Sequence, residues 1–239
     1  MPEELRSFAF NYANVTLYFG PGSVARLGDW LKTHERVLVT TGKRSAKESG
    51  ALDDVLKILS QNGVAYDIFS EVTPNPWASQ ADRMAERAWA MGAEAIVAIG
   101  GGSVIDAAKV AAMIAVSGGK ASDYVYGRRR ARGCLPVYAI NLTHGTGTEV
   151  DRYSVLTIDE TREKRGFVSV YPTASVDDPR YTLTLSHNQT IYVTLDAFYH
   201  AYESATQPGS PPIVELLSTE AIRLIKEWLP RAVSNPKDL

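Results

Sequence analysis

The segment Ala95-Ile-Val-Ala-Ile-Gly-Gly-Gly-Ser-Val-Ile-Asp-Ala-Ala-Lys109 constrains this chain more than any other. Five apolar residues without a charge read as a buried strand. Three glycines follow at once and let the backbone turn sharply, with no Cβ to keep a ligand away. A helix read from Ser103 onward points its free N–H groups and positive end back at the turn. Such a strand–glycine–helix unit suits an anion, a dinucleotide pyrophosphate in particular. It is equally compatible with a tight β–α turn that holds no ligand, and it is not the GxGxxG fingerprint. Ser103 followed three residues later by Asp106 fits a capping box at the helix start.

The same alternation runs through the first three quarters of the chain. Arg36 to Thr41 reads as a buried strand ending at Gly42, and Val64 to Phe69 and Leu135 to Ile140 read as two more. Leu52, Val55, Leu56 and Leu59 lie at helical spacing in a segment that Gly63 stops. Ala81 to Met91 reads as a helix ending at Gly92, and Val104 to Val116 as one ending at Gly118-Gly119. Strands and helices joined by short Gly or Pro connections predict an α/β, Rossmann-like parallel sheet covered by helices on both faces. After Asp178-Pro179 the pattern becomes helical only. Asn188 to Thr206 and Ile213 to Leu229 read as two helices, the second with Val214, Leu217, Ala221, Leu224 and Ile225 as its buried stripe. We therefore expect an α/β domain over 1–183 and the start of an all-α domain over 184–239, whose apolar faces need further cover.

Composition excludes several function classes. At 45% hydrophobic and 22% charged, with a net charge of −2, the chain offers no bias toward nucleic acid or an anionic membrane. Met1 to Phe10 carries Glu3 and Glu4 and no long apolar run, so it does not read as a signal peptide, and no stretch is apolar enough to span a bilayer. Cys134 is the only cysteine, so neither an internal disulfide nor a cysteine metal site is available, which suits a reducing cytoplasm. Cys134 itself reads as a small buried residue, Trp77 and Trp89 as helix-packing residues, His34 as exposed, and Arg128 to Arg132 as a solvated loop. Asp196 and His200 stand four apart on a helix, on one face, where a carboxylate and an imidazole can share iron(II) or zinc. Taken alone, such a pair also fits an ordinary surface interaction.

Several motifs together resemble one family. Gly100-Gly-Gly-Ser-Val-Ile-Asp-Ala-Ala-Lys109 is similar to the GGGSxxDxAK signature of the iron-containing alcohol dehydrogenases. Phe19-Gly-Pro-Gly22, Pro74-Asn-Pro76, Thr143-His-Gly-Thr-Gly-Thr-Glu-Val150, Asp178-Pro179 with Thr182, and Leu195-Asp-Ala-Phe-Tyr-His200 resemble its further motifs, in order. The resemblance implies the dehydroquinate synthase-like superfold and hydride transfer between a nicotinamide dinucleotide and an alcohol or aldehyde at a divalent metal. A glycerol dehydrogenase or dehydroquinate synthase relative is the neighbouring alternative, against which Asp196 with His200 argues. The resemblance implies cofactor contacts from Asn75, Gly101, Gly102, Ser103, Thr143, Thr146 and Lys164, with Leu183 along the adenosine or ribose, and metal ligation by Asp196 and His200. Family members that use NAD often carry Asp where this chain has Gly42. Lys43, Arg44 and Ser45 follow, and two cations with a hydroxyl suit a 2′-phosphate, so NADP is expected, with NAD possible. His144 departs from the small residue usual in the family.

The resemblance implies two further metal histidines, at positions that would follow Leu239. A catalytic metal needs about three protein ligands, and neither His34 nor His187 is placed to serve. The implied partners are a small alcohol or aldehyde, and a homodimer or a second chain supplying the missing helical part. A nucleotide-binding subunit or fragment without activity of its own is the competing reading.

Overall fold

The structure, a computed structural model, describes residues 8–239. The reading of Met1 to Phe10 as no secretory leader rests largely on residues outside that range. Among the described residues nine strands form: β1 (Phe8–Tyr12), β2 (Val15–Phe19), β3 (Arg36–Gly42), β4 (Ala65–Val72), β5 (Ala95–Gly100), β6 (Val137–Asn141), β7 (Tyr153–Thr157), β8 (Lys164–Val168) and β9 (Ala174–Asp177). Seven make one sheet in the order β1-β2-β9-β6-β5-β3-β4. Only β1 runs antiparallel, to β2; every other pair is parallel. β7 and β8 form a separate antiparallel hairpin inserted between β6 and β9.

The helices are α1 (Gly28–Leu31), α2 (Ser45–Glu48), α3 (Ala51–Gln61), α4 (Ala78–Met91), α5 (Gly102–Ser117), α6 (Ala121–Val125), α7 (His187–Thr206) and α8 (Pro212–Ser234). Alternation along each strand sends its side chains to two cores. Val37, Val39, Val97, Ile99 and Ile140 pack with Leu31, Val55 and Leu59 of α1 and α3. Leu38, Ile96, Ala98 and Ala139 pack with α4, α5 and α6 on the other face. Helix α5 is buried without a break from Val104 to Ile114.

Chain order against strand order locates the crevice. From β3 the chain steps outward to β4, then returns to place β5 on the far side of β3. That reversal leaves an opening at the carboxyl ends of β3 and β5, where doubly wound sheets bind ligands. Those ends are Gly42 and Gly100.

The helical region differs from its sequence reading. Helices α7 and α8 pack on each other, but the inward side of α8 is Val214, Ser218, Ala221, Ile222, Ile225 and Leu229. Leu217 and Leu224, expected in the stripe, are 64% and 40% exposed, so the helix is rotated from that reading. Tyr199, Tyr202, Leu216 and Trp228 are exposed as well. Helix α8 also continues through Pro230 to Ser234, because proline in an exposed last turn disturbs little beyond its own missing donor. Among the described residues no helix is long and apolar enough to cross a membrane.

Candidate functional site

A continuous cleft of about 1380 Å³ opens at the switch point. It exceeds the roughly 300–1,000 Å³ that holds a drug-sized ligand, which leaves room for an extended one. One end is lined by Gly42, Lys43, Arg44 and Ser45, the middle by Asn75, Gly101, Gly102, Ser103, Thr143 and Thr146, and the far end by Asp196 and His200. Lys164 lines one wall from β8. Of the residues to which the resemblance gives cofactor or metal contacts, Leu183 alone stands outside the lining. The cleft is reached instead by Thr184, Leu185 and Ser186, while the Leu183 carbonyl accepts from Lys237 Nζ at 2.6 Å.

The glycine turn is built for close approach. A Cβ on Gly101 would meet the Thr143 side chain at 3.0 Å, and one on Gly102 would meet Thr146 Cγ2 at 2.9 Å. The turn therefore leaves a bare-backbone cradle between the start of α5 and the 143–147 loop, which fits a pyrophosphate. The expected capping box is absent. The cap position of α5 is Gly101, with no side-chain cap bond. Ser103 Oγ accepts from the Asn75 backbone N–H at 3.2 Å, which holds the left-handed Asn75 (φ 53°) against the turn. Asp106 turns the other way, accepting from Thr148 Oγ1 at 2.5 Å and from the Val155 N–H at 2.9 Å.

Asp106 belongs to a polar knot whose role the sequence did not disclose. Lys109, with no exposed surface, donates to Thr148 Oγ1 at 2.6 Å, Asp151 Oδ1 at 3.1 Å and the Tyr153 carbonyl at 2.5 Å. Its ammonium lies 3.8 Å from Asp106 Oδ1. Burial pushes the Asp106 carboxyl up and the Lys109 ammonium down, and each charge partly offsets the other's shift. The knot ties the β7–β8 hairpin to α5. It thereby fixes the cleft wall formed by Thr148, Asp151, Tyr153 and Val155.

A second acidic group lies behind the cleft. Asp177 and Glu149 each leave a buried carboxyl oxygen without a partner. Burial, reinforced by the nearby Glu149, pushes the Asp177 carboxyl up to about 8, against a hydrogen bond from Asn141 that lowers it. The unfolded carboxyl ionises near ~3.9. Between those values the folded chain holds a proton that the unfolded chain has released, so stability falls as pH rises. Asp177→Asn is expected to raise the unfolding temperature at pH 8 and to change it little at pH 4. Roughly 2–4 °C should return per kcal/mol recovered. Equal shifts at both pH values in thermal melts would contradict this.

Asp196 and His200 are brought together as their spacing implied. His200 Nε2 stands 3.7 Å from Asp196 Oδ1, both side chains are half-exposed, and both line the cleft. As donors they fit two positions around a divalent ion such as iron(II) or zinc. Among the described residues no group of three or more His, Cys, Asp or Glu could complete such a site. His187 begins α7, more than three turns from His200.

Other expectations change. His34 is not exposed: its ring packs on Tyr138, with Nε2 2.8 Å from the Tyr138 hydroxyl. Cys134 is exposed because it precedes β6 rather than entering it. Trp89 is 78% exposed on α4 and packs no helix, while Trp77 sits half-buried at the start of that helix. The basic run is a solvated loop as expected, with Arg128 over the Tyr126 ring.

Comparison with known proteins agrees with this geometry. The profile of the family described as iron-containing alcohol dehydrogenase matches residues 14–179. The chain is 40% identical over 232 residues to the long-chain primary alcohol dehydrogenase AdhA of Thermoanaerobacter ethanolicus, covering 94% of this chain and 58% of that one. It is 33% identical over 231 residues to a probable NADH-dependent butanol dehydrogenase 1 of Bacillus subtilis, covering 95% and 60%. The crystal structure of NADH-dependent butanol dehydrogenase A from Thermotoga maritima superposes with a TM-score of 0.90 at 31% identity, over 99% of this chain and 60% of that one. The chain thus spans about three fifths of the length of these relatives. With the ordered motifs, the doubly wound sheet and the paired Asp196 and His200 all in place, the chain belongs to the iron-containing alcohol dehydrogenase family.

Proposed function

We propose that this chain is the dinucleotide-binding part, with the start of the metal-binding part, of an alcohol dehydrogenase that moves a hydride between NAD(P)H and an alcohol–aldehyde pair. The single observation that carries the reading is the unbroken cleft from Gly42, past the bare turn Gly101-Gly102, to Asp196 and His200. When bound, the nicotinamide supplies the hydride and the metal supplies Lewis acidity. The chain's own residues do the positioning. The amides of Gly101 to Ser103 would receive the pyrophosphate. Asn75, pinned by Ser103, lines the same cleft with Thr143, Thr146 and Lys164, and these residues would hold the dinucleotide there. Asp196 and His200 would hold the metal ion.

We read the nucleotide preference as NADP(H), although several relatives are named for NAD or NADH. A Cβ at Gly42 would make only ordinary contacts, 3.6 Å from the Val72 carbonyl oxygen, so packing does not demand glycine there. Its effect is to leave space beside exposed Lys43, Arg44 and Ser45. Replacing Lys43 and Arg44 together by Ala is expected to weaken NADPH at least tenfold more than NADH. A charged hydrogen bond is worth about 1.5–3 kcal/mol. Equal losses in fluorescence titrations with both nucleotides would refute the preference.

We divide the chain at 183/184, where a short turn over Pro179–Thr184 leads into α7. The exposed Tyr199, Tyr202, Leu216 and Leu217 support cover by further helical structure, from a second chain or a homodimer. The lone thiol Cys134 supports a cytoplasmic setting. A second reading, a nucleotide-binding chain without turnover of its own, is favoured by one observation: only two metal ligands converge among the described residues. Purified chain incubated with NADPH, a short aldehyde and iron(II) or zinc separates the two. Turnover supports the complete enzyme. NADPH binding without turnover, restored by a helical segment from a relative, supports the second. Failure to bind either nucleotide would overturn both.

A further inference from the structure

The 143–147 loop stands between the nucleotide end of the cleft and the helix that carries Asp196 and His200. Thr143 is held on the nucleotide side, its N–H and hydroxyl both donating to Asn141 Oδ1 at 3.2 and 3.3 Å. On the other side the loop lies directly on the backbone of α7, so closely that a Cβ on Gly145 would overlap the Val193 carbonyl oxygen. His144 spans the gap, with its Nε2 2.7 Å from Thr194 Oγ1.

The direction of that bond follows from Thr194. Its hydroxyl donates to the Thr190 carbonyl at 2.7 Å, one turn earlier in α7. Having one proton, the hydroxyl can only accept from His144. Nε2 therefore carries the imidazole hydrogen. Burial lowers the His144 pKa, which favours the neutral ring with Nδ1 bare. The chain of donation runs from His144 through the Thr194 hydroxyl, two residues before Asp196, to the Thr190 carbonyl one turn earlier in the helix.

We propose that His144 is a positioning strut through which an occupied nucleotide site fixes the register of α7, and so the orientation of Asp196 and His200. The strut rests on the nucleotide reading above. A nucleotide that orders Thr143 and Thr146 orders His144 with them. The His144–Thr194 bond then transmits that order to the stretch of α7, residues 193–197, against which Gly145 already seats the loop. The coupling is reciprocal, so an ion on Asp196 and His200 tightens the nucleotide in turn.

Hydrogen–deuterium exchange of the whole chain, with saturating NADPH and no metal, tests this without relying on catalysis. In the unmodified chain NADPH should slow exchange at 100–105, at 143–148 and at 190–200, the last by about fivefold or more. His144→Ala should keep the slowing at 100–105 and lose it at 190–200. His144→Gln, which places an amide N–H at similar reach, should restore it. Protection at 190–200 that survives in His144→Ala, or that is missing from the unmodified chain while 100–105 is protected, overturns the strut. No protection at 100–105 in the unmodified chain overturns the nucleotide reading, and the strut with it. Should His144→Ala fail to fold, His144→Phe, which fills the space without a hydrogen-bond donor, takes its place: loss of slowing at 190–200 with 100–105 still protected supports the strut, and slowing at 190–200 that survives overturns it.

Discussion

Replacing Lys109 by Ala is expected to destabilise the fold by about 3–5 kcal/mol, as breaking a buried pair from one side generally does. The ammonium has no exposed surface and satisfies Thr148, Asp151 and Tyr153 at once. Without it, Asp106 keeps its bonds from Thr148 and Val155 but loses the positive charge beside it, and five oxygens of Thr148, Asp151 and Tyr153 lose a donor. Urea unfolding at pH 7 measures the loss. The double variant Lys109→Met with Asp106→Asn should recover most of it, since neither half of the pair then remains charged. A loss below about 1 kcal/mol in Lys109→Ala would show that the knot contributes no more than a surface ion pair. Because the same knot pins the β7–β8 hairpin, NADPH affinity should fall in the single variant even at temperatures where it is folded.

The second large effect is expected at Gly145. Its φ of +108° is one that side chains rarely adopt, and its added Cβ would collide with backbone, the Val193 carbonyl, which cannot swing aside. Gly147 supplies the control. It also has positive φ, +69°, but nothing lies within 4 Å of its would-be Cβ. Gly147→Ala should therefore cost only the backbone penalty, about 1–2 kcal/mol. Gly145→Ala should cost more and should displace α7 from the sheet domain. Proteolysis at 184–187 with thermal melts would show it: rapid release of the helical part in Gly145→Ala and intact chain in Gly147→Ala. Similar behaviour of the two variants would mean that the loop does not bear on α7.

The sequence disclosed the sheet domain because its signals are local. Apolar runs such as Ala95–Ile99 end on glycine, and α5, though buried all round, is long enough to be told from a strand. The site was legible where motif residues gather at strand ends, as Gly42, Gly101 and Gly102 do. It failed where a side chain answers to distant partners. Ser103 and Asp106 read as a cap, yet their partners are Asn75, Thr148 and Val155, some 28 to 49 residues away. Lys109 reaches residues 39 to 44 positions on. The stripe of α8 was misjudged at Leu217 and Leu224 because periodicity gives a face but not the neighbour it meets. The β7–β8 hairpin went unread because its strands are short, and Lys164 to Gly166 of β8 are exposed.

Helix α5 has no solvent side from Val104 to Ile114. It cannot tilt or slide without disturbing the β5 and β6 strands and the α4 helix packed around it. In the proposed reading, the end that would face a phosphate is therefore carried by a helix as firmly held as the interior of the protein, and its amides are aimed before any ligand arrives. In that reading, an incoming nucleotide would meet one immovable wall. The knot pins the hairpin to that same wall, so reorganisation on binding would fall to the 143–147 loop resting on α7, and association would close a soft jaw against a hard one.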